Sequence, residues 1–160
     1  MSKIKKINEL VAIVKNLKKH NKKIVFTNGV FDLIHIGHVR YLRKAKELGD
    51  VLIVAINSDS SVKKIKGNNR PIIPAAKRAE VLSSFEFIDY VTIFNEPNPI
   101  NVIKKLLPDV LVKGGDWKIN EVLGKDIVEA NGGKVVTIPP VKNRSTTNLI
   151  NLIKKRYQKL

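Results

Sequence analysis

At 160 residues with 43% apolar residues, the chain has the size and composition of one folded domain around one core. It contains no cysteine, which excludes a disulfide framework and a thiolate nucleophile or metal site, and no apolar run approaches the ~20 residues that span a bilayer. The formal charge of +16 invites a nucleic-acid reading, yet pairs such as Lys5-Lys6, Lys63-Lys64 and Lys154-Lys155 are spread along the chain, and aromatics are too sparse to form a stacking platform.

Taken in order, residues 3–19 carry Ile4, Ile7, Leu10, Val11, Val14 and Leu17 at helical spacing, which predicts an amphipathic helix with lysines on its wet face. A signal peptide would need a continuous apolar block and a cleavage site, so the cytoplasm is the expected compartment. Ile24-Val25-Phe26-Thr27 predicts a strand buried on both faces. Val39, Leu42, Ala45 and Leu48 then mark a helix ended by Gly49, and residues 51–56 form a second apolar strand. Strand, helix and strand in this compass make a right-handed βαβ unit and a parallel sheet.

The polar stretch 57–74 reads as a long functional loop. A helix is expected over 75–85 and a strand over 90–94. Asn98-Pro99 opens another helix, which Pro108 ends. A strand over 110–112, a helix over 121–130, a strand over 135–138 and a final helix with Leu149, Ile150, Leu152 and Ile153 inward complete the series. This alternation predicts a single α/β domain over 1–160, a Rossmann-like doubly wound parallel sheet of five strands with helices on both faces. Residues 1–21 hold the N-terminal helix, and 24–153 the catalytic core. The polar segments that packing does not explain, 28–38, 57–70, 113–117 and 142–147, all fall at the carboxyl ends of strands, where such sheets bind ligands.

Those segments narrow the chemistry. There is neither a G-x-x-x-x-G-K-[ST] loop nor a G-x-G-x-x-G after the first strand, which disfavours P-loop and dinucleotide enzymes. His35 and His38 alone are a poor zinc site, so no protein metal site is expected. One histidine could simply cap the helix. Two, at i and i+3 on its first turn, point the same way beside amides that favour an anion. Gly29, lacking a side chain, would let the backbone approach a phosphate, and two imidazoles would stabilise charge on an attacked phosphorus without a protein nucleophile. Lys63, Lys64 and Lys66 could add loop cations, although from spacing alone a solvated charge run is favoured.

Gly29-Val30-Phe31-Asp32-Leu33-Ile34-His35-Ile36-Gly37-His38 resembles the signature of the HxGH nucleotidylyltransferases. Asn57-Ser58-Asp59, Lys66-Gly67 through Arg70-Pro71, Lys113-Gly114-Gly115-Asp116-Trp117 and Arg144-Ser145-Thr146-Thr147 follow in the order of one subgroup, the D-glycero-β-D-manno-heptose 1-phosphate adenylyltransferases. The resemblance covers residues 24–153. It implies transfer of AMP from ATP to the sugar phosphate, giving pyrophosphate and ADP-heptose for lipopolysaccharide core synthesis. It further implies His35, His38, Lys64 and Arg144 as catalytic residues. Asn28, Gly29, Val30, Phe31, Lys66, Gly114, Gly115, Asp116, Ser145 and Thr146 would bind the nucleotide and its phosphates. Asp32, Asn57, Asp59 and Arg78 would stand on the acceptor side, with Arg78 open to a structural role instead. Mg²⁺ would enter bound to ATP. A homodimer, and a separate sugar kinase supplying the substrate, are the implied partners, with no membrane and with nucleic acid disfavoured.

One departure stands out. The subgroup carries an acidic residue and a glycine where this chain has Lys142-Asn143 before the Arg-Ser-Thr-Thr segment. The rival readings are a glycerol-3-phosphate cytidylyltransferase, an FAD synthetase of the same superfamily and, from another class, a basic nucleic-acid-binding module.

Overall fold

Five stretches rich in Val, Ile and Leu form one parallel sheet: β1 (Ile24–Gly29), β2 (Val51–Asn57), β3 (Tyr90–Phe94), β4 (Val110–Gly114) and β5 (Lys134–Ile138), in the spatial order β3-β2-β1-β4-β5. The computed structural model describes residues 2–115, 117–139 and 146–158. The chain winds outward from β1 to β3, then returns to the far side of β1 for β4 and β5. Strand order therefore reverses between β1 and β4, which pair in register through Thr27 and Val112. A crevice opens at such a point because the flanking connections depart in opposite directions.

The helices are α1 (Ile7–Lys19), α2 (Ile36–Lys46), α3 (Asp59–Lys66), α4 (Ala75–Ser83), α5 (Ile100–Leu106), α6 (Lys125–Ala130) and α7 (Thr146–Tyr157). Side chains alternate along each strand, so the sheet feeds two cores. Ile24, Phe26, Ile53 and Leu111 pack with Leu10 and Val14 of α1 and Ile103 of α5 on one face. Val25, Leu52, Val54 and Val112 pack with Leu42 and Ala45 of α2 and Leu82 of α4 on the other. Burial of every residue of β2 explains why its sequence does not alternate apolar and polar. At the amino ends of the strands, carboxylates of Asp50, Asp89 and Asp109 accept the backbone N–H groups of Lys23, Leu52 and Ile24. This closes one end of the sheet with local hydrogen bonds and leaves the carboxyl end for the site.

Four expectations are corrected. The first helix begins at Ile7, not residue 3. Lys5 N–H donates to the Val91 carbonyl and Val91 N–H to that of Lys3, so residues 3–5 cover the free edge of β3. The loop expected over 57–74 contains α3, whose Ser58 cap accepts from Ser61 N–H and whose Val62 is fully buried. The helix expected over 121–130 is divided into a single 3₁₀ turn at Ile119–Glu121 and α6, because Gly124 takes φ +90° and a Cβ there would lie 2.5 Å from Ile103 Cδ1. Finally, Leu152 and Ile153 of α7 do not point inward but are 45% and 46% exposed. Helical periodicity identifies an apolar stripe without identifying a partner for it, and β5, which precedes α7, is the last strand of the sheet.

Candidate active site

At the crevice, a cavity of about 740 Å³ lies between the ends of β1 and β4 and the start of α2. β1 contributes Asn28 and Gly29, followed by Val30 and Phe31. β4 contributes Lys113 and Gly114, followed by Gly115 and Trp117. α2 contributes His38 and, one to two turns on, Arg40, Tyr41, Arg43, Lys44 and Glu47, while Thr146 stands at the first residue of α7.

His35 is the N-cap of α2, with φ −139° and ψ 170°, and its carbonyl accepts from His38 N–H at 2.9 Å. The helical turn stacks the two imidazoles, with ring centroids 3.8 Å apart and 23° between their planes. Burial first, and the charge of His35 second, push the His38 pKa down to about 4, against an opposing contact with the Leu33 backbone. At neutral pH His38 is therefore an uncharged imidazole able to donate one N–H. Phe31 meets His38 edge-on at 5.2 Å, from a left-handed backbone at φ +48° that is uncommon for an aromatic residue.

Two glycines of the cavity wall serve aromatic neighbours. A Cβ on Gly29 would lie 2.8 Å from the Phe31 ring, and one on Gly114 would lie 2.9 Å from the Tyr41 ring. Gly29, expected to admit a phosphate, thus also makes room for Phe31. Tyr41 ties three elements together, since its hydroxyl hydrogen-bonds Thr27 of β1 and donates to the Val112 carbonyl of β4. Burial raises its pKa, so it stays a neutral phenol.

The residues expected on the acceptor side form a separate buried polar cluster. Asp32, 3% exposed, accepts from Ile72 N–H and Ile73 N–H and pairs with Arg70 at 2.6 Å. Burial acts to raise its pKa, but those two amides and Arg70 outweigh it and hold the carboxyl below its ordinary value. Arg78, 1% exposed, donates to the carbonyls of Ile73, Val30 and Asn57 and to Asp59. Asp59 also accepts from Ala75 N–H, and Asn57 donates to Ser61. This cluster clamps the segment after α3 onto the ends of β1 and β2. None of its four expected acceptor residues lines the cavity.

The remaining expected residues divide by location. Lys63, Lys64 and Lys66 lie on the exposed side of α3 and do not reach the cavity wall. Arg144, Ser145 and Asp116 lie outside the described residues, as does the Lys142-Asn143 departure. Sequence reasoning gave no role to Lys113, Tyr41, Arg40, Arg43, Lys44 or Glu47. The last four could have been found by stepping three and four residues along the helix from Gly37, which shares their face. Lys113 required the strand order.

Comparison with known proteins identifies the architecture. Residues 26–152 match the cytidylyltransferase-like family. The chain belongs to that family. Membership makes it a nucleotidyltransferase, the enzyme class that the HxGH segment implied, on the Rossmann-like sheet expected for it. The bifunctional protein HldE of Geobacter metallireducens is 51% identical over 156 residues, covering 98% of this chain and 32% of that protein. That of Nitratiruptor sp. is 54% identical over 147 residues, covering 92% and 31%. The chain thus spans about a third of the length of these relatives. Among solved structures, the lipopolysaccharide core biosynthesis protein of Thermoplasma volcanium superposes with a TM-score of 0.62 at 28% identity, covering 77% of this chain and 99% of that one. Pantoate-beta-alanine ligase of Francisella tularensis, at 18% identity and a TM-score of 0.58, covers 99% of this chain and 78% of its own. It shares the fold.

Proposed function

We propose that this chain transfers AMP from ATP to D-glycero-β-D-manno-heptose 1-phosphate, releasing pyrophosphate and forming ADP-heptose. The observation that carries the reading is the stacked His35–His38 pair at the head of α2, opening into a cavity walled by Gly29 and Gly114. The acceptor phosphate oxygen attacks the α-phosphorus of ATP, and the bond from that phosphorus to the bridging oxygen breaks. The electron pair leaves with pyrophosphate. The imidazole N–H groups supply hydrogen bonds to the non-bridging oxygens as charge builds on them. The choice of heptose rests on the order of the sequence motifs, with the HldE relatives and the lipopolysaccharide core biosynthesis protein in support.

Arg144 and Ser145, with Thr146 where the last helix begins, would hold the triphosphate, and Asp116 with Gly114 and Gly115 the nucleoside. Lys64 and Lys66 would add charge from α3. Asp32, Asn57, Asp59 and Arg78 would shape the acceptor side by fixing the segment between α3 and α4, and direct contact with the sugar phosphate would require them to exchange their present partners. Mg²⁺ would be carried in by the triphosphate. Among the described residues no three His, Asp or Glu side chains cluster to hold a metal ion. The ion would screen the phosphate charges. A homodimer in the cytoplasm, fed by a sugar kinase, completes the proposal. Among the described residues no helix is long and apolar enough to cross a membrane.

The test is pyrophosphate release across a panel crossing ATP and CTP with heptose 1-phosphate, glycerol 3-phosphate and FMN. Turnover is expected with ATP and the heptose phosphate, falling roughly 10²- to 10³-fold in His38→Ala, as for loss of one preorganised donor. Faster turnover of CTP with glycerol 3-phosphate would overturn the assignment.

A further inference from the structure

Lys113 sits at the end of β4, beside the point where strand order reverses. Its ammonium turns into the cavity and donates to Asn28 Oδ1 at 2.9 Å, across from β4 to β1. No carboxylate pairs with it among the described residues, and every described ion pair of the molecule involves other cations. An ammonium carries three donors and no acceptor. One donor is used by a neutral amide, and the residue lines a cavity shared with His35, His38 and Gly29. A part-buried cation without a counter-ion is under-solvated, a cost that an anion would relieve. Asn28 fixes the ammonium but, being neutral, leaves its charge uncompensated.

Building on the nucleotidyl-transfer reading, we propose that Lys113 is a phosphate-contacting residue of the active site, its ammonium held by Asn28 so that a substrate phosphate oxygen supplies the missing negative charge. Burial also pushes its pKa down to about 8, the direction expected of a cation still lacking its partner. The backbone that carries the lysine is rigidly placed, because β4 is paired on both sides, to β1 and to β5 through Lys113 and Thr137. This separates it from the lysines of α3, which extend into solvent. The phosphate oxygen could come from the nucleotide or from the acceptor, and the two sources are separable by experiment.

Calorimetric titration of the full chain with inorganic pyrophosphate, ATP and heptose 1-phosphate would compare the wild type with Lys113→Met and Lys113→Arg. These titrations need no turnover, so they stand even if the acceptor assignment fails. Lys113→Met should weaken at least one ligand roughly 10- to 100-fold, the range for losing a charge-assisted hydrogen bond. Lys113→Arg should recover most of that loss. Weakening of pyrophosphate and ATP assigns the contact to the nucleotide, and weakening of the sugar phosphate alone assigns it to the acceptor. The ligand-free Lys113→Met protein should unfold at the wild-type temperature or above, because a part-buried charge without a counter-ion has been removed. Unchanged affinity for all three ligands, or affinity lost only in step with a lowered unfolding temperature, would overturn the proposal.

Discussion

Replacing Arg78 with Met distinguishes a residue that holds the site together from one that holds the substrate. The guanidinium is 1% exposed and serves three carbonyls, of Val30, Asn57 and Ile73, and the Asp59 carboxylate. Methionine fills much of the same volume, so the main cost is acceptors left without donors. Asp59 is 42% exposed and recovers hydration, contributing on the order of 1 kcal/mol or less. Each buried carbonyl deprived of its partner costs about 1 kcal/mol or more. The sum is roughly 3–5 kcal/mol, also the range for removing one member of a buried ion pair. For a chain of this size that lowers the unfolding temperature by roughly 8–15 °C. Urea unfolding followed by circular dichroism, together with a thermal scan, measures it directly. Lys at this position should restore little, since one ammonium cannot span four acceptors on different segments. A variant within ~1 kcal/mol of wild type, with a raised KM for the sugar phosphate, would refute this reasoning and return Arg78 to the substrate.

Two further predictions follow from the cavity wall. Gly114→Ala drives a Cβ to 2.9 Å from the Tyr41 ring, which should cost about 1–3 kcal/mol as overpacking and weaken ATP binding as Tyr41 shifts; unaltered melting and ATP titration would contradict this. For His38, folding lowers the pKa from 6.5 to about 4. The unfolded chain therefore binds the extra proton, and stability present above pH 6.5 is lost as pH falls toward 4. The upper bound is about 3 kcal/mol, reduced by solvent screening to roughly 1–2 kcal/mol. Urea midpoints at neutral and acid pH should therefore fall more steeply for wild type than for His38→Gln, and parallel profiles would argue against a desolvated His38.

The amino-acid sequence by itself determined the five strands in order, the parallel sheet and the histidine pair at a strand-to-helix junction. Continuous apolar runs such as Val51-Leu52-Ile53-Val54 have few ways to be buried, and an i, i+3 histidine pair at a strand-to-helix junction fixes its own local geometry. It failed where a local pattern depends on a distant partner. The lysines of α3 looked like a loop because the burial of Val62, which seats the helix, lies in tertiary packing, whereas the Ser58 cap is a local signal that the lysine run obscured. The stripe on α7 had no surface assigned to it by periodicity. The carbonyl and amide partners of Arg78 and Asp32 leave no mark in side-chain identity, so the clamp they form was not legible. Only the tertiary structure brought Lys113 beside Asn28, 85 residues away. That meeting depends on which strand follows β1 across the sheet, and therefore on the packing of both helix layers.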